Sequence, residues 1–176
     1  MVGLANVGFL LVDDNVNMLS ILDSIIRAFG ARKIARATSE REAINRLSST
    51  PSDIMVCDYI LGRYTICDLA REIRQSKEDR IRFMPIILLT AHTSYSRISA
   101  ARDAGINNVC SKPISTTELF RRLVTVVDQP VPYVVCKSYI GPDRRRKNRP
   151  PYDGKERRQV EASSGLTLER AQSARG

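Results

Sequence analysis

The chain has no tryptophan, a single histidine and four cysteines that form no CxxC pair. Cys57, Cys67, Cys110 and Cys136 have no histidine at metal-ligand spacing, which excludes zinc fingers and ribbons. Two of them fall inside apolar strand patterns, where a reduced thiol behaves as a small hydrophobe. No apolar run approaches the roughly 20 residues that a membrane helix needs. The segment Met1–Leu11 is apolar but lacks the basic stretch that opens a secretory signal, and it already contains a candidate strand. These absences lead us to expect a cytoplasmic protein with a reduced, metal-free cysteine complement.

Charge of one sign is also unevenly supplied. The net charge is +9 over 176 residues. Residues 129–176 hold 11 Lys/Arg against 5 Asp/Glu, whereas the preceding 128 hold 17 against 14. The body is therefore nearly balanced, and the excess lies at the end. Gln129-Pro130-Val131-Pro132 breaks any helix, and Tyr133-Val134-Val135-Cys136 is the last apolar stretch. Beyond it arginine, proline, glycine and serine prevail, too few apolar side chains to offset the entropy of ordering. We divide the chain into a globular unit over 7–128 and a basic, largely disordered tail over 129–176.

Between Val7 and Val127 short apolar runs alternate with longer amphipathic stretches, the pattern of a βα-repeating parallel sheet. A helix is expected over Asn15–Phe29, with Met18, Leu19, Leu22, Ile25, Ile26 and Phe29 on one stripe and Gly30 as its stop. Ser39 with Glu42, and Ser115 with Glu118, read as capping boxes opening two more helices. Helices near Ile66–Gln75 and Tyr95–Ala104 complete a set of five alternating with five strands. Right-handed crossovers then place helices on both faces of the sheet.

The strand ends carry the chemistry. Asp13 and Asp14 follow the run ending at Val12, and Asp58 ends Asp53–Cys57. Thr90 ends Pro85–Leu89, and Lys112 follows Asn107–Ser111. All five stand at carboxyl ends of candidate strands, the edge where open α/β sheets bind ligands. Crowded carboxylates raise one another's pKa, so the group makes physical sense around a cation. Oxygen donors of this kind suit Mg²⁺, which takes one or two carboxylates plus water and phosphate oxygens. Taken singly, Asp14 or Asn15 could cap a helix and Lys112 could be a solvated loop residue. Their joint order on strands one, three, four and five is what gives them weight.

These residues resemble the receiver domain of bacterial two-component response regulators. The resemblance runs from about Val7 to Val127 and rests on Asp13-Asp14, Asp58, Leu89-Thr90-Ala91 and Lys112-Pro113. It implies a flavodoxin-like, doubly wound sheet of order 2-1-3-4-5 and a cis bond before Pro113. By the same resemblance Asp58 accepts a phosphoryl group, and Thr90 and Lys112 contact it. Asp13, Asp14, Asp58 and the backbone carbonyl of Ile60 would hold Mg²⁺. The implied partners are a sensor histidine kinase or histidine phosphotransfer protein upstream and an output protein downstream.

The sequence departs from the family at several positions. Gly62 stands where proline is usual, and Ile66 replaces a common glycine. Val109 replaces an aromatic residue, and Ser76–Met84 is about two residues longer than usual. Ile60 and His92, the only histidine, occupy the positions that flank the phosphoryl pocket.

Other classes fit less well. An aspartate-nucleophile phosphohydrolase would need Asp-x-Asp after the first strand, whereas here the acids are adjacent. No enzyme beyond self-catalysed aspartyl phosphorylation is expected. The alternative is a pseudo-receiver scaffold working through its tail. That tail repeats Tyr-x-Gly-x-acid-Arg-Arg at Tyr139–Arg145 and Tyr152–Arg158. Its Gly141–Arg146 element resembles tails of receiver-only proteins of alphaproteobacteria. Such arginines suit carboxylates or phosphates, with a protein the preferred partner and non-specific nucleic acid the weaker one.

Overall fold

A computed structural model describes residues 4–91 and 93–144, and the backbone of 159–161. Its centre is a parallel five-stranded sheet of β1 (Gly8–Val12), β2 (Lys33–Ala37), β3 (Ile54–Asp58), β6 (Ile86–Thr90) and β7 (Asn108–Ser111). The order is β2-β1-β3-β6-β7. This is the expected 2-1-3-4-5 arrangement, the intervening β4 and β5 forming a separate hairpin. Strand residues alternate between two cores, as a period of two demands. Leu10, Val12, Met55, Cys57, Ile86 and Leu88 face α2 (Glu40–Ser49), α3 (Ile66–Arg74) and α5 (Tyr95–Asp103). Phe9, Leu11, Ile54, Val56, Ile87 and Leu89 face α1 (Val16–Ala28) and α6 (Thr116–Asp128). Both faces are covered, which is why the strands read as continuous apolar runs.

The helix signals hold with local differences. Asn15 caps α1, its side chain accepting from the Asn17 and Met18 amides. Ser39 and Ser115 cap α2 and α6 through the amides of Glu42 and Glu118. Neither glutamate closes a reciprocal box, however. Glu42 reaches back to the Thr38 amide and hydroxyl, and Glu118 is taken by Arg121 and Arg122. The reciprocal box is at α3, where Asp68 accepts from the Thr65 amide and hydroxyl. The long segment Ser76–Met84 contains a single-turn helix, α4 (Asp79–Arg82).

Two features were not read from the sequence. The loop after β3 is a hairpin of β4 (Ile60–Leu61) and β5 (Tyr64–Thr65), turned at Gly62-Arg63. Gly62 has φ +65°, the left-handed region required at the first turn position and closed to the family's proline. The second is regular structure beyond Asp128. Residues assigned to a disordered tail form an antiparallel pair, β8 (Tyr133–Cys136) and β9 (Tyr139–Pro142). Tyr133 is 2% exposed. β10 (Gln159–Glu161) pairs with the other edge of β8. The reading of the remaining tail, with its second Tyr-x-Gly element, lies outside the described residues.

Candidate functional site

The register brings the acids together. Val12 lies opposite Cys57, and Cys57 opposite Leu88. The next residues along, Asp13 and Asp58, therefore emerge side by side at the carboxyl edge. On the far side Thr90 pairs with Ser111, and the Lys112 amide donates to the Thr90 carbonyl at 2.7 Å. The strand order reverses about β1, since β2 lies to one side of it and β3 to the other, and this opens a crevice between β1 and β3.

Lys112 binds the set together. Its Nζ lies 3.0 Å from Asp58 Oδ1 and 3.6 Å from Asp13 Oδ2. The Lys112–Pro113 bond is cis. Asp58 is half-buried and open to an approaching group, whereas Asp13 is 2% exposed. Burial pushes the Asp13 carboxyl above its ordinary range. The Asn15 amide and Lys112 pull against that rise, while Asp58 and Asp14 add to it. Asp14 has no capping duty, and its Oδ2 accepts from the Gly62 amide at 3.2 Å, tying the β4–β5 hairpin to the start of α1.

The donors fit a hydrated cation better than a closed cage. Asp13 Oδ2 is buried with no hydrogen-bond partner and a long ion pair to Lys112 Nζ at 3.6 Å, so it keeps acceptor capacity to spare. Among the described residues no three His, Cys, Asp or Glu side chains form a group that could hold a metal ion by themselves. A cation here needs water or substrate oxygens to complete its shell, which is the habit of Mg²⁺. Thr90 is 1% exposed at the end of β6. His92 lies outside the described residues.

One neighbour of the site escaped the sequence reading. Tyr59 follows Asp58, and the Arg97 guanidinium of α5 lies over its ring at 5.2 Å. Ile60, which the sequence had already put at the site, projects 44% exposed two residues after Asp58. The hairpin itself had a signal: β-favouring residues flank Gly62-Arg63, a glycine-first two-residue turn. The thiols take no part. Cys57, Cys67 and Cys110 are buried and pushed above the ordinary thiol range by burial, and all four cysteines are free.

The arrangement has known counterparts. Residues 9–124 match the model of the response regulator receiver domain. A chemotaxis protein CheY of Pseudomonas aeruginosa is 28% identical over 120 residues, 68% of this chain and 95% of its own. A solved response regulator from Chloroflexus aurantiacus shares 27% identity at a TM-score of 0.63, covering 70% and 99% of the two chains. The receiver domain of a sensor histidine kinase from Pseudomonas aeruginosa, 28% identical at a TM-score of 0.59, covers 66% and 93%, and was solved with a magnesium ion in its active-site cleft. With the matched segment spanning the whole central sheet and every strand end that bears the acids, the threonine and the lysine, the chain belongs to the response regulator receiver domain family.

Proposed function

We propose that this receiver accepts a phosphoryl group on Asp58 from a phosphohistidine and passes the signal on by protein–protein contact. The observation that carries the reading is Lys112 Nζ held between Asp58 and Asp13. An Asp58 oxygen attacks phosphorus as the P–N bond to the donor imidazole breaks. An acyl phosphate forms, and the departing imidazole takes up a proton. Such transfer depends on in-line positioning and on neutralising the equatorial oxygens more than on acid–base groups. Lys112 would pair with one of those oxygens, and the Thr90 hydroxyl would donate to another. Asp13, Asp14, Asp58 and the Ile60 carbonyl would hold Mg²⁺, which when bound supplies the positive charge that Lys112 alone lacks. The reaction is a single self-catalysed event rather than turnover.

The upstream partner in this reading is a histidine kinase or a histidine phosphotransfer protein. Downstream lies an output protein engaged through the surface or the arginine-rich tail, with non-specific nucleic acid the weaker tail partner. No described helix is long and apolar enough to cross a membrane, and a cytoplasmic site of action accords with that. Incubation with Mg²⁺ and a small phosphodonor is expected to add one phosphoryl group, labile to acid and base. Chelator should prevent the addition. Equal labelling of Asp58→Asn would remove the assignment.

A further inference from the structure

α5 reaches Tyr59, the residue after Asp58, at one end and the C-terminal hairpin at the other. In its first turn, Arg97 lies over the Tyr59 ring. Arg97 Nη1 is buried with no hydrogen-bond partner among the described residues, so that arm of the guanidinium has no hydrogen bond to lose when the ring contact opens. Along its length the helix is shallowly seated, with Ala101 its only buried residue. At its far end, Asp103 pairs with Arg144. Gly105, just beyond, presses on the hairpin so closely that a Cβ there would stand 2.6 Å from the Ile140 carbonyl oxygen. A Cβ on Gly141 would in turn meet the Gly105 Cα at 2.7 Å. The Arg144 guanidinium stacks on Tyr139 at 3.9 Å.

Arg74 locks this junction from beneath. It is 2% exposed, and its described partners include no carboxylate. It donates to the carbonyls of Gly105, Arg82 and Met84 and lies 5.1 Å from the Tyr133 ring centroid. The carboxyl ends of α4 and α5 and the first strand of the hairpin therefore share one buried cation.

We propose that α5 is the element through which the state of Asp58 reaches the β8–β9 hairpin, so that a phosphoryl group on Asp58 loosens the hairpin. The glycine-to-glycine packing at Gly105 and Gly141 has no slack. Displacement of α5 in any direction therefore breaks the fit rather than sliding within it. Coupling of this kind is reciprocal: prying the hairpin away must also release the first turn of α5.

The inference rests on Asp58 as acceptor in one arm and is independent of it in the other. Both arms use hydrogen exchange of the full chain. In the unloaded protein, Gly141→Ala, or Arg144→Ala should the first variant fold poorly, is expected to speed exchange over Tyr95–Ile98 by about threefold or more. Acceleration confined to Asp103–Gly105 would overturn the proposal. In the second arm, Mg²⁺ and beryllofluoride load the acceptor, with occupancy read separately by native mass. Exchange over Ile140–Arg144 should rise about tenfold in the wild type and not in Arg97→Ala, which still loads. A loaded wild type with an unchanged hairpin refutes the coupling. Failure to load counts instead against Asp58 as acceptor and leaves the first arm to decide.

Discussion

Asp13 is the residue whose charge costs the fold most. Its carboxyl is buried and raised, so between the unfolded and folded pKa values the native state binds more protons than the unfolded chain. Stability therefore falls as pH rises through that window, and at neutral pH ionised Asp13 is a standing cost offset in part by Lys112 and the Asn15 amide. In chelator at pH 7, Asp13→Asn should raise the melting temperature, because it removes the buried charge. Mg²⁺ should raise the wild-type value further but leave the variant unmoved. A thermal melt with and without the ion reads both, and a destabilised variant would contradict the role of burial. The acid set was legible in sequence because charge at the end of an apolar run is a local pattern. Asp23 was not, since it sits 7% exposed among the buried positions of α1 and one of its partners is Arg36 on β2. Arg74 likewise gave no signal in the sequence. Its burial is set by carbonyls that come from 8 to 31 residues away.

At the scale of the element, the capping serines were legible and their glutamates were not, because an exposed carboxylate takes whichever donors lie nearest. Glu118 bridges Arg121 and Arg122 at 2.7–2.9 Å, and these hydrogen bonds bring its carboxyl from 4.5 down to about 2. A folded pKa below the unfolded value gives stability that is present above about 4.5 and lost as pH falls toward about 2. Glu118→Gln should therefore melt slightly below wild type at pH 7, with the gap closing as pH drops through that window. A gap that persists at pH 3 would assign the loss to packing instead. The β4–β5 hairpin escaped notice for a different reason. Two-residue strands are too short for periodicity to register, and the turn glycine was weighed against the family's proline rather than as a turn of its own. The amphipathic helices, with three or more apolar residues on one stripe, carried enough repeats to be read.

For the whole molecule, composition marked where the apolar sequence ends but not where folding ends. Tyr133-Val134-Val135-Cys136 was assigned to the tail as its last apolar stretch, yet it docks against a surface completed by Arg74, Asn107 and Phe83. That surface is assembled from three separate segments and exists only once the sheet has formed. The described structure therefore continues past Asp128 through β8 and β9, with β10 paired on the other edge of β8. A chain ending at Arg144 should melt within about 2 °C of full length. One ending at Pro132 should lose roughly 2–3 kcal/mol, because Tyr133 no longer covers Arg74. Equal melting of the two would put the hairpin outside the folded unit. The most direct test of Asp58 as acceptor is reductive trapping. Wild-type protein is phosphorylated with Mg²⁺ and a small phosphodonor, treated with borohydride and mapped by peptide mass. Conversion of aspartate to homoserine is expected at Asp58 and absent when chelator replaces Mg²⁺. Trapping at Asp13 or Asp14, or an unreduced Asp58 in protein that carries the phosphoryl mass, would contradict it.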